Sequence, residues 1–133
     1  MISTEGSAHA VLARTARWHV GHGDCLELLR ELPDASIDGM VTDPPAGIEF
    51  MGKDWDNPRL LGEAGFAVEL RHCINQRHHP KDRRSLEREM FVWWLAERLG
   101  EAYRVLKPGA HALIWAIPRT SHWTGMAIEY AGF

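Results

Sequence analysis

A layered α/β fold with parallel strands is predicted by three features of the 133-residue sequence. Two runs of strand length, Ile37 to Val41 and Ala112 to Ile117, each follow a segment with helical signals. The second run is wholly apolar, as expected of a parallel strand covered on both faces. Breakers at Pro33, Lys107-Pro108-Gly109 and Gly132 punctuate the chain between them. With a brief strand at Trp18 and Val20, whose apolar side chains alternate with polar ones, this makes three βα units in succession. Such a series implies a right-handed, layered arrangement.

Residues 1 to 16 are small and polar and read as a mobile tail, with room for a short helix around Ala8 to Arg14. Gly21-His22-Gly23 lacks the spacing of a dinucleotide fingerprint and reads as a turn. Asp24 is a good helix N-cap, and Glu27 completes a capping-box pattern ahead of Leu28, Leu29 and Leu32. Residues 56 to 84 show no clean period and contain Pro58, Gly62, Gly65 and Pro80, so they read as a long loop with a helical piece around Glu63 to Asn75. Ser85 then suits the cap of a helix on which Phe91, Leu95, Leu99, Ala102 and Leu106 share one apolar face, widened by Trp93 and Trp94. Thr120 or Ser121 starts a last helix with Trp123, Ala127 and Tyr130 on one side.

Composition narrows the function classes. Hydrophobic content of 45% and charged content of 25% are ordinary for one globular domain. No apolar run approaches the ~20 residues that span a membrane, and the N-terminus lacks a signal-peptide pattern, so a cytoplasmic protein is expected. Cys25 and Cys73 form neither a metal spacing nor a disulfide framework, and the adjacent His78 and His79 lack spaced partners. Net charge is −3, unevenly spread. Residues 1 to 56 carry 4 basic against 10 acidic side chains, residues 57 to 88 carry 7 against 4, and the remainder is balanced. The basic cluster, with Arg77, Lys81, Arg83 and Arg84, is where phosphate contacts are expected, although a solvated loop would have the same composition.

The most informative stretch is Thr42-Asp43-Pro44-Pro45-Ala46-Gly47. An acid just past a strand end lies in the crevice where open α/β sheets take their ligands. The two prolines lock the backbone and remove two N–H groups, so the Asp43 carboxylate and the Pro44 carbonyl become preorganised acceptors. That pair suits a substrate that presents an amino group. The exocyclic amine of a nucleobase is a poor nucleophile because its lone pair is delocalised into the ring; two acceptors that take its hydrogens localise and orient that pair. A Pro-Pro turn closing a strand is the plain alternative for these residues alone.

The stretch resembles motif IV, in its usual form Asp-Pro-Pro-Tyr, of the DNA methyltransferases that modify the amino group of adenine or cytosine with S-adenosylmethionine. Gly23-Asp24-Cys25-Leu26-Glu27 before it resembles the same family, as do Phe50-Met51-Gly52-Lys53-Asp54-Trp55-Asp56, Arg104-Val105-Leu106-Lys107-Pro108-Gly109 and Pro118-Arg119-Thr120-Ser121-His122 after it. In this order they are similar to the phage and prophage branch, over roughly residues 17 to 133. The resemblance implies a Rossmann-like, S-adenosylmethionine-dependent methyltransferase fold, present in part, acting on double-stranded DNA with the target base flipped out of the duplex. Asp43 and the Pro44 carbonyl would orient the amine and Pro45 would fix their geometry. The aspartate favours adenine, since cytosine enzymes of this type more often carry Ser or Asn there. Asp24 has two compatible readings, a helix cap and a cap that also borders the cofactor or target pocket. Ala46 replaces the tyrosine that stacks on the flipped base, an interaction worth ~1–3 kcal/mol. Phe50 and Trp55 are the candidate substitutes, unless they cover the core. Arg119, leaving the second strand on the side of Asp43, is a candidate phosphate contact with an ordinary loop role as its alternative.

Relatives in that branch continue into further strands, a target-recognition region and a glycine-rich loop that cradles the methionine part of the cofactor. No such loop occurs here. The expectation is therefore the catalytic-motif portion of an enzyme, completed by a complementary C-terminal half or by self-association, with apolar sheet surface left open. An inactive remnant or a DNA-binding module without turnover is the rival from another class. Methylation of RNA or of a protein glutamine is a third reading, disfavoured by the flanking motifs.

Overall fold

The computed structural model describes residues 6–58, 60 and 83–133, with the side chains of residues 83–86 excepted. Helix α1 spans Ala8–Leu12, with the Ser7 hydroxyl accepting the Ala10 N–H as its cap. Helix α2 spans Cys25–Arg30 and β1 spans Ile37–Thr42. Two single 3-10 turns, Phe50–Gly52 and Asp54–Asp56, follow. The long helix α3, Arg83–Val105, runs directly into β2, Leu106–Ile114, and α4 covers Ser121–Ala131. The two strands pair in parallel, with Gly39 opposite His111 and Thr42 opposite Ile114. A parallel pair needs a long crossover, and α3 lies in the crossover between these strands.

Two expectations about helix starts are corrected. Helix α3 begins two residues ahead of Ser85, which therefore lies inside it, and Arg83 and Arg84 belong to its first turn instead of to a loop. The backbone is already helical there, so no cap is required at Ser85. In α2, Asp24 caps through the Leu26 N–H at 2.9 Å, but Glu27 pairs with Arg30 one turn on and does not close the capping box. An i,i+3 ion pair with the basic last turn has displaced the reach back to the cap.

The brief strand at Trp18 and Val20 does not form: both residues lie in extended coil and are exposed. Alternation alone cannot make a strand without a neighbour to receive its hydrogen bonds, and the sheet among the described residues has just two strands. The expected helical piece at Glu63 to Asn75 lies outside the described residues, as do Arg77 and Lys81.

Packing is one-sided. Phe91, Val92, Trp94, Leu95, Ala96 and Leu99 of α3 meet Trp123 and Ala127 of α4 in a buried core, and Met40 of β1 and Ile114 of β2 pack against it. The period of α3 is as expected from Phe91 to Ala102, but the helix ends at Val105 so that Leu106 opens β2, and Trp93 lies at the surface, stacked on Tyr130 with ring centroids 5.0 Å apart. The other face of the sheet is open, contrary to the expected burial of the second strand on both faces: Val41 is 82% exposed, Leu113 66% and Trp115 68%. Successive side chains of a strand point to opposite faces, so a continuous apolar run buries only half its residues until a second layer covers it. This face is expected to drive self-association, measurable by light scattering, and Leu113→Lys is expected to reduce it.

The start of β2 carries a local insertion. Ile37 faces Leu106 and Gly39 faces His111, so Lys107 to Ala110 stand opposite Asp38 alone. Gly109, at φ +82°, takes the left-handed turn this needs, Pro108 gives up no ladder bond there, and Lys107 reaches across to Asp38. Behind it, Arg104 donates to the Leu29 and Leu32 carbonyls and to Asp34 and Glu101, closing the C-terminal end of α2 against the last turn of α3.

Candidate functional site

Strand β1 delivers Asp43 at its carboxyl end. The ladder continues past the strand itself: the Trp115 N–H donates to the Thr42 carbonyl at 2.9 Å, so the residue before Asp43 is held by the segment that follows β2. Asp43 is exposed, and among the described residues its carboxylate makes no hydrogen bond or ion pair. The Pro44 carbonyl likewise receives no donor among them. Two acceptors on a rigid Pro-Pro backbone thus follow the end of β1 without partners among the described residues. Asp43 is exposed, whereas Pro44, Pro45 and Ala46 are half-buried.

Beyond Ala46 the chain folds back tightly. Gly47, Glu49, Met51 and Gly52 all have φ between +54° and +69°. For Glu49 and Met51 this is the left-handed conformation that side chains disfavour by roughly 1–2 kcal/mol each. The compensation comes from Asp56, whose side chain is fully buried. Its Oδ1 accepts the Gly47 N–H at 2.7 Å, and its Oδ2 accepts the Ile48 and Phe50 N–H groups at 3.2 and 2.9 Å. Its carbonyl takes the Glu49 N–H at 3.1 Å. On the other flank the Thr120 hydroxyl donates to the Ala46 carbonyl at 2.8 Å.

Gly47 is the position where glycine is required. A Cβ there would lie 2.8 Å from Cδ2 of Phe91, and its φ of +69° disfavours any side chain. Gly47→Ala is expected to cost about 2 kcal/mol, from strain and overpacking together, as read by urea denaturation.

Phe50 and Trp55 are both exposed, with ring centroids 6.4 Å apart and planes tilted by 51°. They stand at the surface of the folded-back loop and do not cover the core. Arg119 is exposed and lines a cleft of about 150 Å³ with Gly47, Ile48, Glu49, Pro58, Glu87, Thr120 and Trp123. The fold therefore brings Arg119 to the loop that follows Asp43, as its exit from the end of the second strand implies.

Asp24 lies elsewhere in the fold's hydrogen bonding. Its Oδ1 caps α2 and its Oδ2 accepts from Arg98 at 3.0 Å. Arg98 is itself buried, with its guanidinium 4.3 Å above the Trp94 ring. The Leu26 N–H, opposed by partial desolvation and aided by Arg98, holds the Asp24 carboxyl below its ordinary value of 3.8. A depressed folded-state value stabilises the fold above pH 3.8, and that stability is lost as pH falls through the lower value. Asp24→Asn keeps a capping side chain but loses the charge. The variant is expected to be less stable than the parent by on the order of 0.5 kcal/mol near neutral pH, since the Asp24 side chain is half-exposed and solvent screens its charge. The gap should close on acidification below the usual carboxyl range, as followed by denaturant melts across pH.

Sequence reasoning missed Asp56 and the contact made by Thr120. Asp56 closes a resemblance motif but has no periodic or spacing signal. Thr120, expected with Ser121 as the alternative to begin the last helix, does precede α4, yet its hydroxyl makes no cap bond and is spent on Ala46.

No family model matches the chain, and no solved structure does. Over 109 residues, 82% of its length, the chain is 28% identical to the type II methyltransferase M.BamHI of Bacillus amyloliquefaciens. It spans 19% of the length of that protein. This likeness supports a relationship to DNA methyltransferases, and the two-stranded parallel α/β arrangement is compatible with part of a methyltransferase fold.

Proposed function

We propose that the chain carries the amine-orienting motif of a Rossmann-like DNA methyltransferase that uses S-adenosylmethionine and acts on the exocyclic amino group of adenine. The observation that carries this reading is that two acceptors just past the end of β1, the Asp43 carboxylate and the Pro44 carbonyl, are left without partners among the described residues. A flipped base enters with its amino group toward them. Each acceptor takes one amino hydrogen, the nitrogen lone pair is turned away from the ring system, and Pro45 keeps the two acceptors in register. Phe50 and Trp55 offer π-faces for the base in place of a motif tyrosine at Ala46. Arg119, with Arg77, Lys81, Arg83 and Arg84 of the basic segment, supplies positive charge for the phosphate backbone.

The residues described do not make a complete cofactor site. The cleft beside the motif, about 150 Å³, is smaller than the roughly 300–1,000 Å³ of typical small-molecule pockets. Both Asp24 oxygens are engaged by the fold, and no glycine-rich loop is present in the sequence. In this reading the cofactor is held with polypeptide other than the described residues, such as a complementary half.

The test is transfer of radiolabelled methyl from S-adenosylmethionine to unmethylated duplex DNA, followed by nuclease digestion to identify the labelled base. Label in N6-methyladenine supports the reading. Label in a methylated cytosine amine moves the target to cytosine. No label, either from the chain alone or with a C-terminal half of a relative added, favours the non-catalytic alternative. Changing Phe50 and Trp55 together to Ala is expected to weaken binding of the flipped base by roughly 1–3 kcal/mol, read by fluorescence of a 2-aminopurine target.

A further inference from the structure

We infer that Asp56 and Thr120 are positioning residues that set the direction in which Asp43 and the Pro44 carbonyl point; this rests on the reading of those two groups as the amine-orienting pair. Prolines stiffen the motif internally but do not fix how the whole segment is aimed. Its aim is set by where its ends are held. Upstream, the Thr42 carbonyl is held by the Trp115 N–H. Downstream, the Ala46 carbonyl is held by the Thr120 hydroxyl at 2.8 Å, and the next residue, Gly47, by Asp56 at 2.7 Å. The three residues given the chemistry, Asp43, Pro44 and Pro45, therefore hang between one anchor before them and two after.

Three features indicate a dedicated device. Asp56 is a fully buried carboxylate that spends both oxygens on three loop amides, those of Gly47, Ile48 and Phe50. The loop it holds contains two non-glycine residues in the left-handed region, Glu49 and Met51, a conformation that persists only where the surroundings impose it. Thr120, a residue 3% exposed, occupies a helix N-cap yet its side chain makes no cap bond, so its hydroxyl serves the motif loop instead of its own helix. The same residue also begins α4, whose Trp123 and Ala127 are in the core. The motif is thus tied to the packed part of the molecule.

The experiment combines amide hydrogen exchange by NMR with steady-state methyl transfer in the full chain. In Asp56→Ala, exchange at Gly47, Ile48 and Phe50 is expected to rise about tenfold or more, while α3 and β2 amides stay as they are. Loss of aim is expected to lower kcat by about 10²-fold with KM for DNA changed little. Should the alanine variant fail to fold, Asp56→Asn keeps the shape and one of the two acceptors, so the exchange should rise selectively at the amides served by the lost oxygen. Thr120→Val should lower kcat in the same way, and Thr120→Ser, which restores the hydroxyl, should recover it. Unchanged exchange at the three amides overturns the clamp. Raised exchange with unchanged kcat, or a serine variant as impaired as the valine one, overturns the positioning role. Absence of methyl transfer in the unsubstituted chain, with or without a complementing half, overturns the functional reading and leaves exchange alone to decide whether the clamp exists.

Discussion

Replacing Asp43 with alanine is expected to lower methyl transfer by at least about 10³-fold while leaving the fold intact. The reason lies in what the carboxylate does and does not touch. It is exposed and engages no described residue, so its removal leaves no buried donor unpaired and should change stability by no more than ~0.5 kcal/mol. In the proposed reading the effect on turnover is large, because the carboxylate would be one of the two groups that take the amino hydrogens at the moment the nitrogen becomes nucleophilic. Asp43→Asn keeps one carbonyl acceptor in the same place and is expected to be impaired less than the alanine variant. Radiolabel incorporation at saturating DNA, set beside a thermal melt of each variant, checks both halves of the expectation. A destabilised Asp43→Ala would mean that the side chain has a structural partner. An alanine variant as active as the parent would remove Asp43 from the chemistry.

The largest expected effect on stability is at Phe91. Its side chain is fully buried, between Trp94 and Trp123 with ring centroids at 6.2 and 5.9 Å, and its Cδ2 edge lies under the backbone of Gly47. Phe91→Ala should cost 3–5 kcal/mol, roughly, from lost burial and the cavity left behind. In a chain of this size that corresponds to a fall in melting temperature of roughly 10–20 °C. Because a single domain has only about 5–15 kcal/mol to lose, a sizeable unfolded fraction at 37 °C is expected. Phe91→Leu fills most of the volume and should cost far less, about 1–1.5 kcal/mol. The floor of the motif loop goes with the ring, so methyl transfer should fall by more than the unfolded fraction explains. Denaturant melts paired with activity normalised to folded protein would measure that excess.

How much of this was readable beforehand differs from residue to residue. The strand that delivers Asp43, the cap at Asp24, the apolar face from Phe91 to Ala102 and the stop at Gly132 follow from local rules: short apolar runs, capping oxygens, the 3.6-residue period and a left-handed glycine. Each such rule is decided within a few residues of chain, so sequence carries it. The same holds for the chemical character of the motif, since two prolines stiffen their own backbone whatever surrounds them.

Other features depend on what lies opposite, and no local pattern contains that information. Trp18 and Val20 have the alternation of a strand but no described strand to pair with. Ala112 to Ile117 reads as doubly covered, yet α3 and α4 pack on one face and Val41, Leu113 and Trp115 stay exposed. A hydroxyl at a helix cap was predictable at Thr120; that it crosses to the Ala46 carbonyl was not, because the two are distant in sequence and meet only through the pairing of β1 with β2. Nor could sequence say that Asp56 is buried beneath three amides of a strained turn. Which groups are proposed for the chemistry was legible in the residues themselves, because that is a matter of functional groups and backbone stiffness. How those groups are aimed emerges only in the folded molecule, because aim is fixed by hydrogen bonds between segments that parallel strand pairing brings together.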